Sequence, residues 1–238
     1  LGNGKGILAA DESTATMTKR LESVNVQSNA ENRLRFRETL FSSHGMSECI
    51  GGVILYDETI KQITSKKNKI PELISSMGSH PGIKVDTGAK VLAGSSNEKI
   101  TEGLDGLRER LKEYYKLGAK FTKWRGVYTI SKNHPSELSI QSNAHALARY
   151  AALVQECNMV PIVEPEVLMD GDHSAKECLN KTSEVIKKCF EELILHKVEL
   201  EGVILKPNMI LAGTKSTNKI SSEEKSRKSL HDTHGRFG

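Results

Sequence analysis

Lys206 closes the apolar run Gly202-Val-Ile-Leu-Lys-Pro207 and is the strongest candidate nucleophile in the sequence. A lysine amine attacks a carbonyl only when unprotonated. Desolvation or a neighbouring cation must bring its pKa down to roughly 7–8. Lys123, inside Phe121-Thr-Lys-Trp-Arg125, is a candidate for that cation, and Asp11, Glu164 and Glu166 are candidate carboxylates for the proton transfers of Schiff-base chemistry. The rival reading of Lys206 is a cation that binds phosphate. Lys84 and Asp86 are two residues apart, as are Lys123 and Arg125, and Glu164 and Glu166. At a strand period of two, each pair shares a face. The four cations Lys84, Lys123, Arg125 and Lys206 are therefore expected to meet Asp11, Asp86, Glu164 and Glu166 at the strand ends. A solvated or purely structural ion-pair network is the competing explanation, but Lys84 and Lys123 lie inside runs where an apolar residue would be more stable.

The elements that must position these groups are six short apolar runs. They begin at Gly6, Gly52, Gly82, Phe121, Val160 and Gly202, spaced 46, 30, 39, 39 and 42 residues apart. A parallel strand needs a crossover of about that length, usually a helix. Apolar residues at Ile100, Leu104, Leu107, Leu111 and Tyr114 predict one such helix, with Gly118 as its stop. Ile140, Ala144, Leu147, Ala151 and Val154 predict a second, and Leu179, Ile186, Cys189 and Leu193 a third. The alternation predicts an α/β fold with a parallel sheet, and its repetition favours a barrel over a doubly wound sheet. In such folds, functional residues gather at the carboxyl ends of strands. Trp124, alternating with Lys123 and Arg125, is expected to pack outward against a helix.

Composition narrows the alternatives. The 238 residues are 37% hydrophobic and 27% charged, a globular balance, and no apolar run reaches the roughly 18–20 residues of a membrane-spanning helix. The net charge is +4, of which +3 falls between Lys215 and Gly238, so a broad basic face for nucleic acid is not expected. Cys49, Cys157, Cys178 and Cys189 form no CxxC pair, which predicts reduced thiols in a cytoplasmic protein. The only close histidine pair, His231 and His234, has no further ligand nearby, so no metal site is expected. Neither a phosphate-loop motif nor a GxGxxG fingerprint is present: Gly2-Asn-Gly-Lys-Gly6 precedes a strand, and no Ser or Thr follows Lys5.

At these residues the sequence closely resembles the class I, Schiff-base fructose-bisphosphate aldolases. The matching stretches are Lys5-Gly-Ile-Leu-Ala-Ala-Asp-Glu-Ser-Thr14, Cys49-Ile-Gly-Gly-Val-Ile-Leu55, Gly82-Ile-Lys-Val-Asp86, Lys123-Trp-Arg125, Leu147-Ala-Arg-Tyr-Ala151, Val160-Pro-Ile-Val-Glu-Pro-Glu166 with Asp170-Gly-Asp-His173, and Leu200-Glu-Gly-Val-Ile-Leu-Lys-Pro-Asn-Met209. The resemblance implies a TIM (β/α)8 barrel and a metal-free lyase of cytoplasmic glycolysis and gluconeogenesis. Its reaction is the reversible cleavage of fructose 1,6-bisphosphate to dihydroxyacetone phosphate and glyceraldehyde 3-phosphate. It further implies that Lys206 forms the Schiff base, Glu164 dehydrates the carbinolamine, and Asp11 removes the C4 hydroxyl proton. Glu166 and Lys123 would be charge partners around the imine, and Ser13, Thr16, Lys84 and Arg125 would hold substrate oxygens and phosphate. No cofactor, metal, membrane or nucleic-acid partner is implied, and the family is homotetrameric.

Two departures accompany the resemblance. The family's Gly-Ser after the Asp-Glu-Ser-Thr stretch is Ala15-Thr16, which keeps a hydroxyl but loses a glycine's backbone freedom. In addition, about six of the eight βα units are present. Residues 1–224 are expected to form an incomplete barrel domain and residues 225–238 a divergent basic tail. The family's second phosphate site, on its last two strands, would then be missing. This leaves a second reading, in which a truncated, catalytically impaired chain only binds anionic ligands or a protein.

Overall fold

The computed structural model describes residues 4–95, 97–217, 221, 223 and 225–229. Gly2, Asn3, His231 and His234 lie outside the described residues. The strands are β1 (Gly6–Ala9), β2 (Ile50–Leu55), β3 (His80–Lys84), β4 (Gly88–Val91), β5 (Lys99–Glu102), β6 (Phe121–Tyr128), β7 (Val160–Val167) and β8 (Ile204–Leu205). Between them lie α1 (Thr14–Glu22), α2 (Ala30–Phe41), α3 (Met46–Cys49), α4 (Asp57–Ile60), α5 (Ile70–Ser76), α6 (Leu107–Lys116), α7 (Glu137–Glu156) and α8 (Ala175–Leu195). The main sheet has the strand order β1-β2-β3-β6-β7-β8, so all six apolar runs become its strands, in sequence order. The chain divides into two compact units. One comprises Leu1–Val85, Leu107–Lys123 and Glu156–Val160; the other comprises Asp86–Gly106, Trp124–Gln155 and Pro161–Gly238.

In the first unit, β1, β2, β3 and the start of β6 pair in parallel. From Gly51 to Leu55 every residue of β2 is buried, as expected of a strand covered on both faces. Glycines at 52 and 82 make room for one ring. A Cβ at Gly82 would meet the Phe121 ring at 2.3 Å, and one at Gly52 would meet it at 3.0 Å. Helix α6 buries Leu107, Leu111 and Tyr114, and the chain reverses at Gly118, whose φ is +107°.

The predicted helix therefore starts late. Ile100 lies in β5, which pairs antiparallel with β4 in the second unit, and Leu104 falls in the turn that follows. The reason is local. Gly103 and Gly106 both have positive φ, and a Cβ at Gly103 would meet the Thr87 backbone nitrogen at 2.9 Å. Backbone in that region suits glycine and interrupts a helix.

Also in the second unit, α7 and α8 cover the predicted periodic segments. Ser174 caps α8 reciprocally with Glu177, a capping box that satisfies otherwise orphaned N–H groups. Trp124 is fully buried against Tyr150 of α7, with ring centroids 5.4 Å apart, as its alternation predicts. β7 and β8 pair in parallel through Ile162–Ile204 and Val163–Leu205. The segment 225–229 is helical, and Ser229 Oγ accepts from the Ile210 N–H at 2.9 Å.

Candidate active site

The first unit carries a buried ion pair between two of the candidate residues. Asp11 follows β1, and Lys123 lies inside β6 with its side chain 8% exposed; Lys123 Nζ is 2.6 Å from Asp11 Oδ2. Charges so enclosed persist only when paired, and this pair meets that condition. Lys84 ends β3 opposite Lys123 in the strand register. Ser13 is the N-cap of α1: its Oγ accepts from the Thr16 N–H at 3.3 Å and lies 3.1 Å from Thr16 Oγ1. Ala15 falls in the first turn of α1, a conformation alanine favours, so no glycine freedom is needed there.

The second unit carries the lysine and the remaining carboxylates. Lys206 follows β8, where its N–H donates to the Val163 carbonyl at 2.9 Å and prolongs the pairing with β7. Lys206 Nζ donates to Glu164 Oε1. The Glu164 side chain is 5% exposed and that of Lys206 is 47% exposed, so a buried acid anchors an accessible amine. Arg125 Nε donates to Glu166 Oε2, and the Arg125 N–H reaches Asp86 Oδ2 at 3.4 Å. Asp86 Oδ1 in turn accepts from Gly88 N–H at 3.1 Å.

These pairings refine the expected ones. Asp11 is a close partner of Lys123, and Glu164 of Lys206. Glu166 is joined to Arg125. Sequence reading also left out the residues that hold this framework. Buried Asn143 on α7 donates to the Lys99 carbonyl at 2.8 Å and accepts from Thr101 N–H at 3.3 Å. Thr101 Oγ1 then donates to the Arg125 carbonyl at 2.7 Å. Two residues after Lys206, Asn208 accepts from Val167 N–H at 3.0 Å and donates to Thr182 Oγ1 at 3.1 Å. A buried asparagine in a helical stripe was the available signal for the first; nothing in the spacing marks the second.

Parallel strands that alternate with helices, the last of them followed by a lysine hydrogen-bonded to a buried carboxylate, define an α/β protein with a strand-end amine site. Comparison with known proteins then narrows the class. A family model described as fructose-bisphosphate aldolase class-I matches residues 1–233. The cytosolic fructose-bisphosphate aldolase 6 of Arabidopsis thaliana is 50% identical over 92% of this chain and 61% of its own length. Fructose-bisphosphate aldolase C-B of Danio rerio is 50% identical over 93% of this chain and 61% of its own. A solved structure of fructose-bisphosphate aldolase from Plasmodium falciparum, in complex with TRAP and a small-molecule inhibitor, superposes with a TM-score of 0.94. It is 44% identical and covers 96% of this chain and 67% of that one. The chain belongs to the class I fructose-bisphosphate aldolase family, and it spans about three fifths of the length of these two curated relatives.

Proposed function

We propose that this chain carries the Schiff-base chemistry of a class I aldolase, cleaving fructose 1,6-bisphosphate reversibly to dihydroxyacetone phosphate and glyceraldehyde 3-phosphate. The observation that carries the proposal is the hydrogen bond from Lys206 Nζ to the buried Glu164 carboxylate. Transfer of that proton to Oε1 frees the Nζ lone pair to attack the ketose C2 carbonyl. The protonated acid then gives its proton to the carbinolamine hydroxyl, which leaves as water and generates the iminium. Asp11 takes the C4 hydroxyl proton, the C3–C4 bond breaks, and its electron pair moves into the iminium to give an enamine. Glyceraldehyde 3-phosphate departs at that stage. Return of a proton to C3, in balance with the one Asp11 removed, and hydrolysis of the iminium by water release dihydroxyacetone phosphate and restore the amine and the Asp11 carboxylate.

The motifs matched to the family support the other roles. Lys123 pairs with Asp11, Arg125 orients Glu166, and Ser13, Thr16, Lys84 and Arg125 hold substrate oxygens and phosphate. The reaction as drawn runs on side chains alone, without a metal or a bound cofactor. A cytoplasmic setting is supported by relatives named cytosolic. Among the described residues, no helix is long and apolar enough to cross a membrane.

Borohydride reduction in the presence of fructose 1,6-bisphosphate, followed by mass spectrometry, tests the proposal. The expected product is a reduced adduct on the peptide containing Lys206. A folded sample with no adduct there would leave the reading in which the chain only binds anionic ligands or a protein.

A further inference from the structure

Three titratable side chains on α7 and α8 take no part in the chemistry above. Glu192 of α8 is 5% exposed, an unusual burial for an ionised group. Its two oxygens face different partners. Oε1 accepts from Gln141 Nε2 at 2.5 Å, with Lys188 Nζ at 3.9 Å. Oε2 lies 3.1 Å from His145 Nδ1 and 3.8 Å from His196 Nδ1. His196 is the C-cap of α8, and its Nδ1 is 2.8 Å from the Glu192 carbonyl oxygen. A carbonyl only accepts, so that nitrogen carries the proton and Nε2 keeps its lone pair. At His145 the nitrogen that faces Glu192 Oε2 is Nδ1, so an ion bound by both would take the place of the proton between them.

One ligand atom from each of His145, Glu192 and His196 lies within 4.8 Å of the other two. Bonds of about 2.0–2.1 Å in a tetrahedral site require ligand atoms about 3.4 Å apart. The contraction needed is a side-chain movement. Glu192 is held by Gln141 and His196 by its own helix, while the 49% exposed His145, already beside both, has solvent on its other side and room to turn. Residues 192 and 196 are four apart and share a helix face, and the neighbouring helix supplies the third ligand. Gln141 would serve as the outer partner that fixes the carboxylate. Two imidazoles and one carboxylate suit zinc-class ions; magnesium and calcium prefer oxygen ligands throughout.

We propose that His145, Glu192 and His196 form a zinc-class divalent-metal site between α7 and α8, with water completing the coordination. The test is equilibrium dialysis of the full chain against Zn2+ after alkylation of its accessible thiols, Cys49 and Cys157. One zinc per chain is expected, with an affinity at least tenfold weaker in His145→Ala and in His196→Gln. The His231→Gln/His234→Gln variant, which removes the other close histidine pair, is expected to bind as the wild type does. Millimolar Mg2+ should not compete. Wild-type affinity in both single variants would overturn the proposal, as would the absence of saturable binding. His145→Ala truncates a half-exposed side chain, and an unchanged circular dichroism spectrum keeps its result interpretable.

Discussion

Lys206 and Glu164 divide nucleophilicity and proton transfer between two atoms joined by one hydrogen bond, so conservative changes separate the roles. Lys206→Arg keeps the positive charge opposite Glu164 but removes the attacking amine, and no borohydride-trapped adduct is expected. Glu164→Gln keeps the amine but removes the proton carrier. Adduct formation is expected to slow by about 10²–10⁴-fold, read from the time course of trapping. An unchanged rate would mean that some other group handles the proton. Asp11 is a matter of stability as well. Asp11→Asn removes the carboxylate 2.6 Å from a buried ammonium, and breaking such a pair costs on the order of 3 kcal/mol. Urea unfolding reads this directly, and Asp11→Asn/Lys123→Met should recover a large part of the loss. Equal midpoints for wild type and Asp11→Asn would show that the pair adds nothing. These residues were legible in sequence because charges inside apolar runs demand a reason. Their partners were not, because a period of two assigns a face and leaves open which opposite charge is nearest.

The elements were legible where burial imposed a pattern. All six apolar runs became strands because a parallel sheet covered on both faces requires near-continuous apolar sequence. The β4–β5 hairpin was not legible. From Ala89 to Val91, β4 is exposed, and the apolar step from Ile100 to Leu104 and Leu107 imitates a helix until the glycines interrupt it. Asn143 ties the hairpin to α7, through its bonds to Lys99 and Thr101. Asn143→Ala leaves the Lys99 carbonyl and the Thr101 N–H without this partner. It should lower stability by about 1–3 kcal/mol in urea unfolding. Trapping at Lys206 is expected to survive, because the pairing of that residue with β7 does not involve Asn143. Loss of the adduct in a folded Asn143→Ala variant would mean that the hairpin matters to the amine site itself.

At the scale of the whole molecule, buried titratable groups set the pH range over which the fold holds. Burial alone would raise the Glu98 carboxyl, but hydrogen bonds from Ser136 and Ser95 outweigh it and hold Glu98 below the usual carboxylate range. Glu58 is held low by its hydrogen bond from Arg33. On unfolding, both return to values near 4.3 and take up protons, so their contribution is present above that pH and fades as pH falls through the depressed folded values. The alkaline side has the opposite sign. Burial pushes the Cys189 thiol up to about 12, whereas in the unfolded chain it titrates near 8.5. The folded state therefore retains a proton that the unfolded state releases, and stability declines as pH rises from about 8.5 towards 12. Tyr114, also raised to about 12 by burial and by its hydrogen bond to Asp57, adds to that decline from pH 10 upward. Urea midpoints measured across pH should form a plateau bounded on both sides. Cys189→Ala should lower the plateau through lost packing yet flatten the descent above pH 8.5, because the group that titrates differently in the two states is gone. If the wild-type and Cys189→Ala curves stayed parallel from pH 8 to 10.5, the thiol would be titrating alike in both states and its burial would carry no alkaline penalty.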